Sequence, residues 1–195
     1  KTIGEVTNFS FLTCLQQSVM NLGILMVQTR VNTFGPVVMA AFSTGVKIDA
    51  FAYMPLQDYG NAFSTFTAQN FGAGKEERIK RGMKIAFITS LLFSIMISLI
   101  VFIASPSLMK IFVGDSEREI IDIGTGYLRI EGAFYALIGF LFLFYGLFRA
   151  IGKPGMSFIL TIISLGTRVL LSYTISDIPS VGVLGIWWSV PIGWL

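Results

Sequence analysis

Residues 72–84, GAGKEERIKRGMK, run directly into residues 85–109, IAFITSLLFSIMISLIVFIASPSLM, and this join decides the fold. Lys75, Arg78, Lys80, Arg81 and Lys84 crowd the first segment, and the second carries no charge at all. As a helix rising about 1.5 Å per residue, the second segment covers the roughly 30 Å of a bilayer's hydrocarbon core with length left for tilt. It reads as a membrane span entered from a basic loop, and Lys and Arg collect in short loops on the cytoplasmic side.

Outward from this join the chain keeps the same character. Hydrophobic residues make up 54% of it, and the few charges cluster between long apolar runs. A water-soluble domain of this length does not support that pattern. The fold class is all-α, a polytopic membrane helical bundle. A membrane β-barrel would need segments alternating apolar with polar residues, and these runs do not alternate. The formal net charge of +3 comes largely from loop residues, so it is no nucleic-acid footprint and no nucleic-acid partner is expected. The chain has no histidine and a single cysteine, Cys14, which reads as an apolar packing residue and excludes an intrachain disulfide. It also has no paired-carboxylate metal motif and no Gly-x-Ser-x-Gly or Ser/Lys constellation, so no metal, no cofactor and no enzyme activity are expected.

Gaps between charges divide the chain into six spans of one lobe, at about residues 8–31, 37–71, 83–105, 120–149, 155–176 and 181–195. Gly35-Pro36 and Gly152-Lys153-Pro154 supply turns. The second helix would be roughly 50 Å long, which predicts a bend near Pro55 or Gly60, or a cytoplasmic extension. The third is expected to end near Ser105-Pro106, and the fourth to run unbroken to Ala150. The chain opens on Lys1 and is still apolar at Leu195, which predicts an internal piece of a longer protein, cut within its last span. With the 75–84 loop inside, alternation puts Lys1, Arg149 and Lys153 on that side and Arg30, Lys110 and Arg118 outside, in keeping with the positive-inside rule.

Helical spacing separates polar faces from lipid-facing ones. On the first helix Thr13, Gln17, Asn21 and Gln28 share a stripe within about 60°. Amides in a span must face protein or water, so this stripe either bonds to another helix or lines a cavity. On the fourth, Gly132, Gly139 and Gly146 fall at heptad spacing and predict close backbone approach to a neighbour. On the fifth, Ser157, Thr161, Ser164, Arg168 and Ser172 form one face. Arg168 lies roughly 21 Å along its helix from Pro154, at a depth comparable to Glu131 on the antiparallel fourth helix. It either snorkels to the outer interface or pairs with Glu131, directly or through water. The second helix carries Lys47, Asp49 and Asp58 into the apolar zone. Asp49 stands about 20 Å in from Pro36, where an ionisable group is a functional candidate; it reads either as a desolvated carboxyl suited to proton coupling or as one half of a static ion pair. Lys47 and Asp49 point to nearly opposite sides, so each needs a partner elsewhere or a polar cavity.

Three ordered motifs bear a family resemblance. Residues 57–74, QDYGNAFSTFTAQNFGAG, with Lys75-Glu-Glu-Arg78, then Tyr127-Leu-Arg-Ile-Glu131, then Leu147-Phe-Arg-Ala-Ile-Gly-Lys-Pro154, resemble the signatures of the multidrug and toxic compound extrusion (MATE) family. The resemblance covers essentially the whole chain. Gln16-Gln-Ser and Lys47-Ile-Asp49 are similar to the C-terminal lobe, in the bacterial branch that includes DNA-damage-inducible relatives.

The resemblance implies one six-helix lobe of a twelve-helix transporter in the bacterial cytoplasmic (inner) membrane, facing a second lobe of the same protein across a central cavity. It implies secondary active antiport: export of a small organic cation, drug or amphipathic substrate, driven by proton or sodium entry. One lobe alone is then expected to be incompetent for transport. The substrate- or ion-binding candidates are Gln17, Asn21, Gln28, Lys47, Asp49, Asp58, Glu131 and Arg168. Some members carry an acidic residue in mid-fourth helix, around Ile138 here; this chain has none there, and Glu131 is two turns away. The alternatives are a lipid-linked oligosaccharide flippase of the same superfamily, favoured by a cationic cavity, and a non-transporting structural membrane subunit.

Overall fold

The computed structural model describes residues 2–195, apart from the side chains of residues 2, 5 and 6; Lys1, counted above on the basic side, lies outside the described residues. Helices follow one another as α1 (Thr2–Asn32), α2 (Pro36–Gly72), α3 (Glu76–Val113), α4 (Arg118–Gly132), α5 (Tyr135–Ala150), α6 (Pro154–Thr174) and α7 (Val183–Gly193). Among the described residues no strand occurs. Four of these helices are long and apolar enough to cross a membrane, and α4 with α5 makes a fifth candidate span. The all-α membrane bundle read from the composition is the observed fold.

Glycine ends the helices where the basic turns begin. Gly74 and Gly152 both take positive φ, +67° and +74°, where a Cβ would be strained. Beside each, the next amide reaches back to the last turn: Lys75 N donates to Asn70 O (2.8 Å) and Lys153 N to Phe148 O (2.9 Å). These are Schellman closures, which satisfy carbonyls that the helix end would orphan. Both turns lie at one end of the bundle. At the other end Arg30 ties α1 to the segment after α6, donating from Nε to Ser176 Oγ (2.7 Å) and pairing with Asp177.

The third helix does not stop at Pro106. A proline there cannot donate to the Phe102 carbonyl, and that oxygen instead accepts from Ser105 Oγ (3.3 Å) and Arg129 Nε (3.4 Å). With the freed carbonyl satisfied from outside, α3 continues to Val113. Nor is the fourth helix unbroken. It divides at Ala133-Phe134 into α4 and α5, with 53° between their axes. The break is two residues long, directly after Gly132, and is bridged by bonds to the third residue back: Phe134 N donates to Glu131 O (3.0 Å) and Leu137 N to Phe134 O (2.9 Å). The second helix, by contrast, is continuous through Pro55 and Gly60 to Gly72.

The core sits where α2 crosses α5 and α4. Gly60 and Gly146 meet there: a Cβ on Gly146 would stand 2.5 Å from the Gly60 carbonyl oxygen, and one on Gly60 would stand 2.9 Å from the Phe142 carbonyl. On the other flank of α5, a Cβ on Gly139 would stand 2.7 Å from Ser90 Oγ of α3. The close approach predicted from the glycine spacing is therefore the packing that holds α5 between α2 and α3. Beside it Phe42, Tyr127 and Trp187 form an aromatic box, with Phe42 stacked on Trp187 at 5.6 Å and Tyr127 edge-on to both. Leu92, Leu99 and Ile103 of α3 stay exposed, as lipid-facing side chains do.

Candidate functional site

A cavity of about 200 Å³ opens inside the lobe, walled by α1, α2, α4, α5 and α6 and the Trp194 side chain, with no residue from α3. Its position follows from the packing: α2 is drawn onto α5 by the glycine seam and α1 lies on α6, so α1 and α2 diverge and leave the space between them.

Five of the eight predicted site residues meet there. Asp49 enters from α2, Glu131 from the end of α4, Arg168 from α6, and Gln17 and Asn21 from α1. Asp49 is 2% exposed and Glu131 3%. Asp49 Oδ1 accepts a hydrogen bond from the Tyr135 hydroxyl. The other Asp49 oxygen, Glu131 Oε1 and Arg168 Nε are buried without a hydrogen-bond partner. Such atoms are costly in a low-dielectric interior, and three of them on one cavity make it a place where a charged guest can be held. With every group ionised, the two carboxylates and one guanidinium carry a formal charge of −1.

The remaining candidates lie elsewhere. Lys47 and Asp58 are exposed on α2, and Gln28 is half-buried; none lines this cavity. Of the pairing expected between Glu131 and Arg168, directly or through water, the direct form does not occur among the described residues. Both reach the cavity, but the ion pairs among the described residues are Arg30 with Asp177, Lys80 with Glu77, and Lys110 with Asp115. Arg168 does not snorkel away: it faces inward, with its backbone against Gly193 of α7.

The polar face of α6 resolves mostly into packing. Ser157 Oγ donates to Tyr145 O (3.1 Å), Thr161 Oγ1 to Ser157 O (3.0 Å) and Ser164 Oγ to Gly193 O. The α1 stripe divides. Gln17 and Asn21 face the cavity, whereas the adjacent Gln16 is buried and donates to Thr161 Oγ1 (2.8 Å), joining α1 to α6. Sequence reasoning also missed the tyrosines. Tyr127 and Tyr135 stand four residues either side of Glu131, Tyr127 on the same face of α4 and Tyr135 at the start of α5, and that i, i+4, i+8 spacing is the signal that could have found them.

A second space of about 120 Å³ continues the cavity towards the basic end, sharing Gln17, Gln57 and Tyr145 with it. It ends at Arg149, whose Nη2 donates to Asn61 Oδ1 (2.9 Å) and whose Nε donates to Tyr145 O (3.2 Å). Together they form a polar path from Asp49 and Glu131 to the end of α5, along one open side of the lobe.

Comparison with known proteins adds an independent line. The MatE family model matches residues 10–174. A probable multidrug resistance protein NorM of Thermotoga maritima is 26% identical over 184 residues, covering 94% of this chain and 39% of that protein. A probable multidrug resistance protein YpnP of Bacillus subtilis is 27% identical over 150 residues, covering 77% of this chain and 33% of that protein. The chain thus spans well under half the length of the relatives it matches. Among solved structures, an outward-facing multidrug resistance MATE family transporter of the MOP superfamily superposes with a TM-score of 0.89 at 21% identity, over 94% of this chain and 41% of that one. A MOP superfamily transporter from Pyrococcus furiosus, whose binding pocket is described as of reverse polarity, superposes with a TM-score of 0.88, also at 21% identity, over 94% of this chain and 41% of that one. At that identity these show likeness of fold.

Proposed function

The chain belongs to the MatE family, and from that premise we propose that it is one lobe of a secondary active transporter exporting organic cations or amphipathic compounds in exchange for protons or sodium ions. The observation that carries this reading is the pair of buried carboxyls, Asp49 and Glu131, each with an oxygen left unpartnered on a cavity that opens along one side of the lobe. A carboxylate so placed gains from a guest cation or a proton, because one of its oxygens has lost its hydration without gaining a hydrogen bond. A proton or sodium ion and a cationic substrate then compete for the same oxygens, and that competition is what couples their opposite movements. Tyr135 holds Asp49 in place, while Gln17, Asn21 and Gln57 offer neutral hydrogen bonds to a varied substrate. The second lobe of the parent protein would close the open side between α1 and α2. The positive-inside pattern places the 75–84 turn in the cytoplasm, and the bacterial relatives favour the cytoplasmic membrane. The formal negative charge of the cavity weighs against a flippase for anionic lipid-linked sugars, and buried unpartnered carboxyls weigh against a purely structural subunit.

The test is efflux of a fluorescent organic cation from proteoliposomes holding the full-length parent protein, under an imposed proton gradient and then a sodium gradient. Efflux that collapses when one gradient is dissipated establishes antiport and names its ion. Folded protein giving no efflux under either gradient overturns the reading.

A further inference from the structure

We infer that Arg168 is a built-in countercharge that sets at one the positive charge the cavity accepts. The inference rests on the cation-accepting reading above and deepens it. Three charged side chains line the cavity, Asp49 from α2, Glu131 from α4 and Arg168 from α6; α1, α5 and Trp194 bring only amide, tyrosine, tryptophan and apolar groups to it. Arg168 has the geometry of a countercharge that leaves its partners open. It forms no ion pair with either carboxyl among the described residues, and its Nε, Asp49 Oδ2 and Glu131 Oε1 are all buried without hydrogen-bond partners. The guanidinium therefore offsets one negative charge across the cavity without occupying the acceptor oxygens.

The consequence follows from the cost of net charge in a poorly hydrated space. Two bare carboxylates would be satisfied by a divalent guest, or by two protons. With Arg168 present, one positive charge brings the cavity to neutrality, and a second would leave it positive and poorly solvated. A merely structural arginine, packed against Gly193, predicts no such dependence on guest charge.

Ethidium and propidium test this, since they share a phenanthridinium ring but carry one and two positive charges. Their binding is measured by fluorescence on the full-length protein in nanodiscs. Wild-type protein is expected to prefer ethidium. Arg168→Gln is expected to shift the ratio towards propidium by about tenfold or more, as a unit charge at roughly 8 Å and an effective dielectric near 20 requires. Arg168→Lys should keep the wild-type preference, and Glu131→Gln/Arg168→Gln, which restores the formal charge, should return it. Equal changes for both probes in Arg168→Gln, or a double variant that stays where Arg168→Gln left it, overturn the inference. If Arg168→Gln does not fold, Glu131→Gln with Arg168 intact decides: it leaves no net charge, so ethidium should weaken by about tenfold or more, and unchanged ethidium binding overturns the inference. Wild-type binding with the expected preference but no gradient-driven efflux would defeat the transport reading alone; binding of neither probe defeats both.

Discussion

Asp49 is held by one hydrogen bond and left open by its second oxygen, and the two halves of that arrangement have separable effects. Asp49→Asn in the full-length protein keeps an oxygen for Tyr135 but loses the charge, so gradient-driven efflux should fall about tenfold or more while thermal unfolding stays near wild type. Tyr135→Phe does the reverse: it strips the carboxyl of its donor and should cost about 1–3 kcal/mol of stability, read by thermal unfolding in detergent. At this scale much was legible. An acidic residue amid apolar ones, such as Asp49 or Glu131, announces itself because burial of charge is expensive. Lys47 and Asp58 stand out in the same way yet are exposed on α2, away from this cavity. Hydropathy registers that a charge is present in a helix but not which neighbour its side of the helix meets, and so it cannot separate these from Asp49. Tyr127 and Tyr135 were hidden for the opposite reason, since a buried tyrosine carries no penalty that composition would flag.

Between elements, the seam of α2 and α5 inverts a common expectation. Alanine is a better helix former than glycine, so Gly146→Ala on a free helix would stabilise. Here the new methyl group would meet the Gly60 carbonyl, and the substitution should instead cost about 1–3 kcal/mol, seen as a lower unfolding temperature. The heptad spacing made close packing around these glycines readable in advance, though not that Gly146 alone would meet the α2 backbone. The run through Pro106 was not readable, because the groups that rescue the Phe102 carbonyl include Arg129, distant in sequence. Removing that rescue with Arg129→Met should cost about 0.5–1.5 kcal/mol, and less in a Pro106→Ala background, where the helix supplies its own donor. Equal losses in both backgrounds would disprove the account. The break at Ala133-Phe134 escaped for a related reason: Gly132 alone is compatible with a continuous helix, and the hydrogen bond that Tyr135 makes just after the turn goes to Asp49, distant in sequence.

For the molecule as a whole, its all-helical membrane character was readable from the charge gaps, whereas the adjacency of its helices was not. Pairing α1 with α6, and α2 with α5, depends on buried contacts such as Gln16 with Thr161 that no periodicity encodes. The resulting exposure pattern can be checked in a full-length Cys14→Ser background cleared of other cysteines. A cysteine at Gln17 or Asn21 should react with a membrane-impermeant methanethiosulfonate, faster with the cationic reagent than with the anionic one. One at Leu92, on the exposed apolar face of α3, should not react. Cysteines at Lys80 and Asp177 should label from opposite sides of the membrane. The seam also has a mechanical meaning. Where two backbones touch through a facing pair of glycines, neither rod can slide or roll past the other without driving a carbonyl into a Cα. The α2–α5 pair should therefore travel as a single stiff spar through any working stroke, its internal spin-label distances constant, leaving α1 and the joint at Ala133-Phe134 to supply the give.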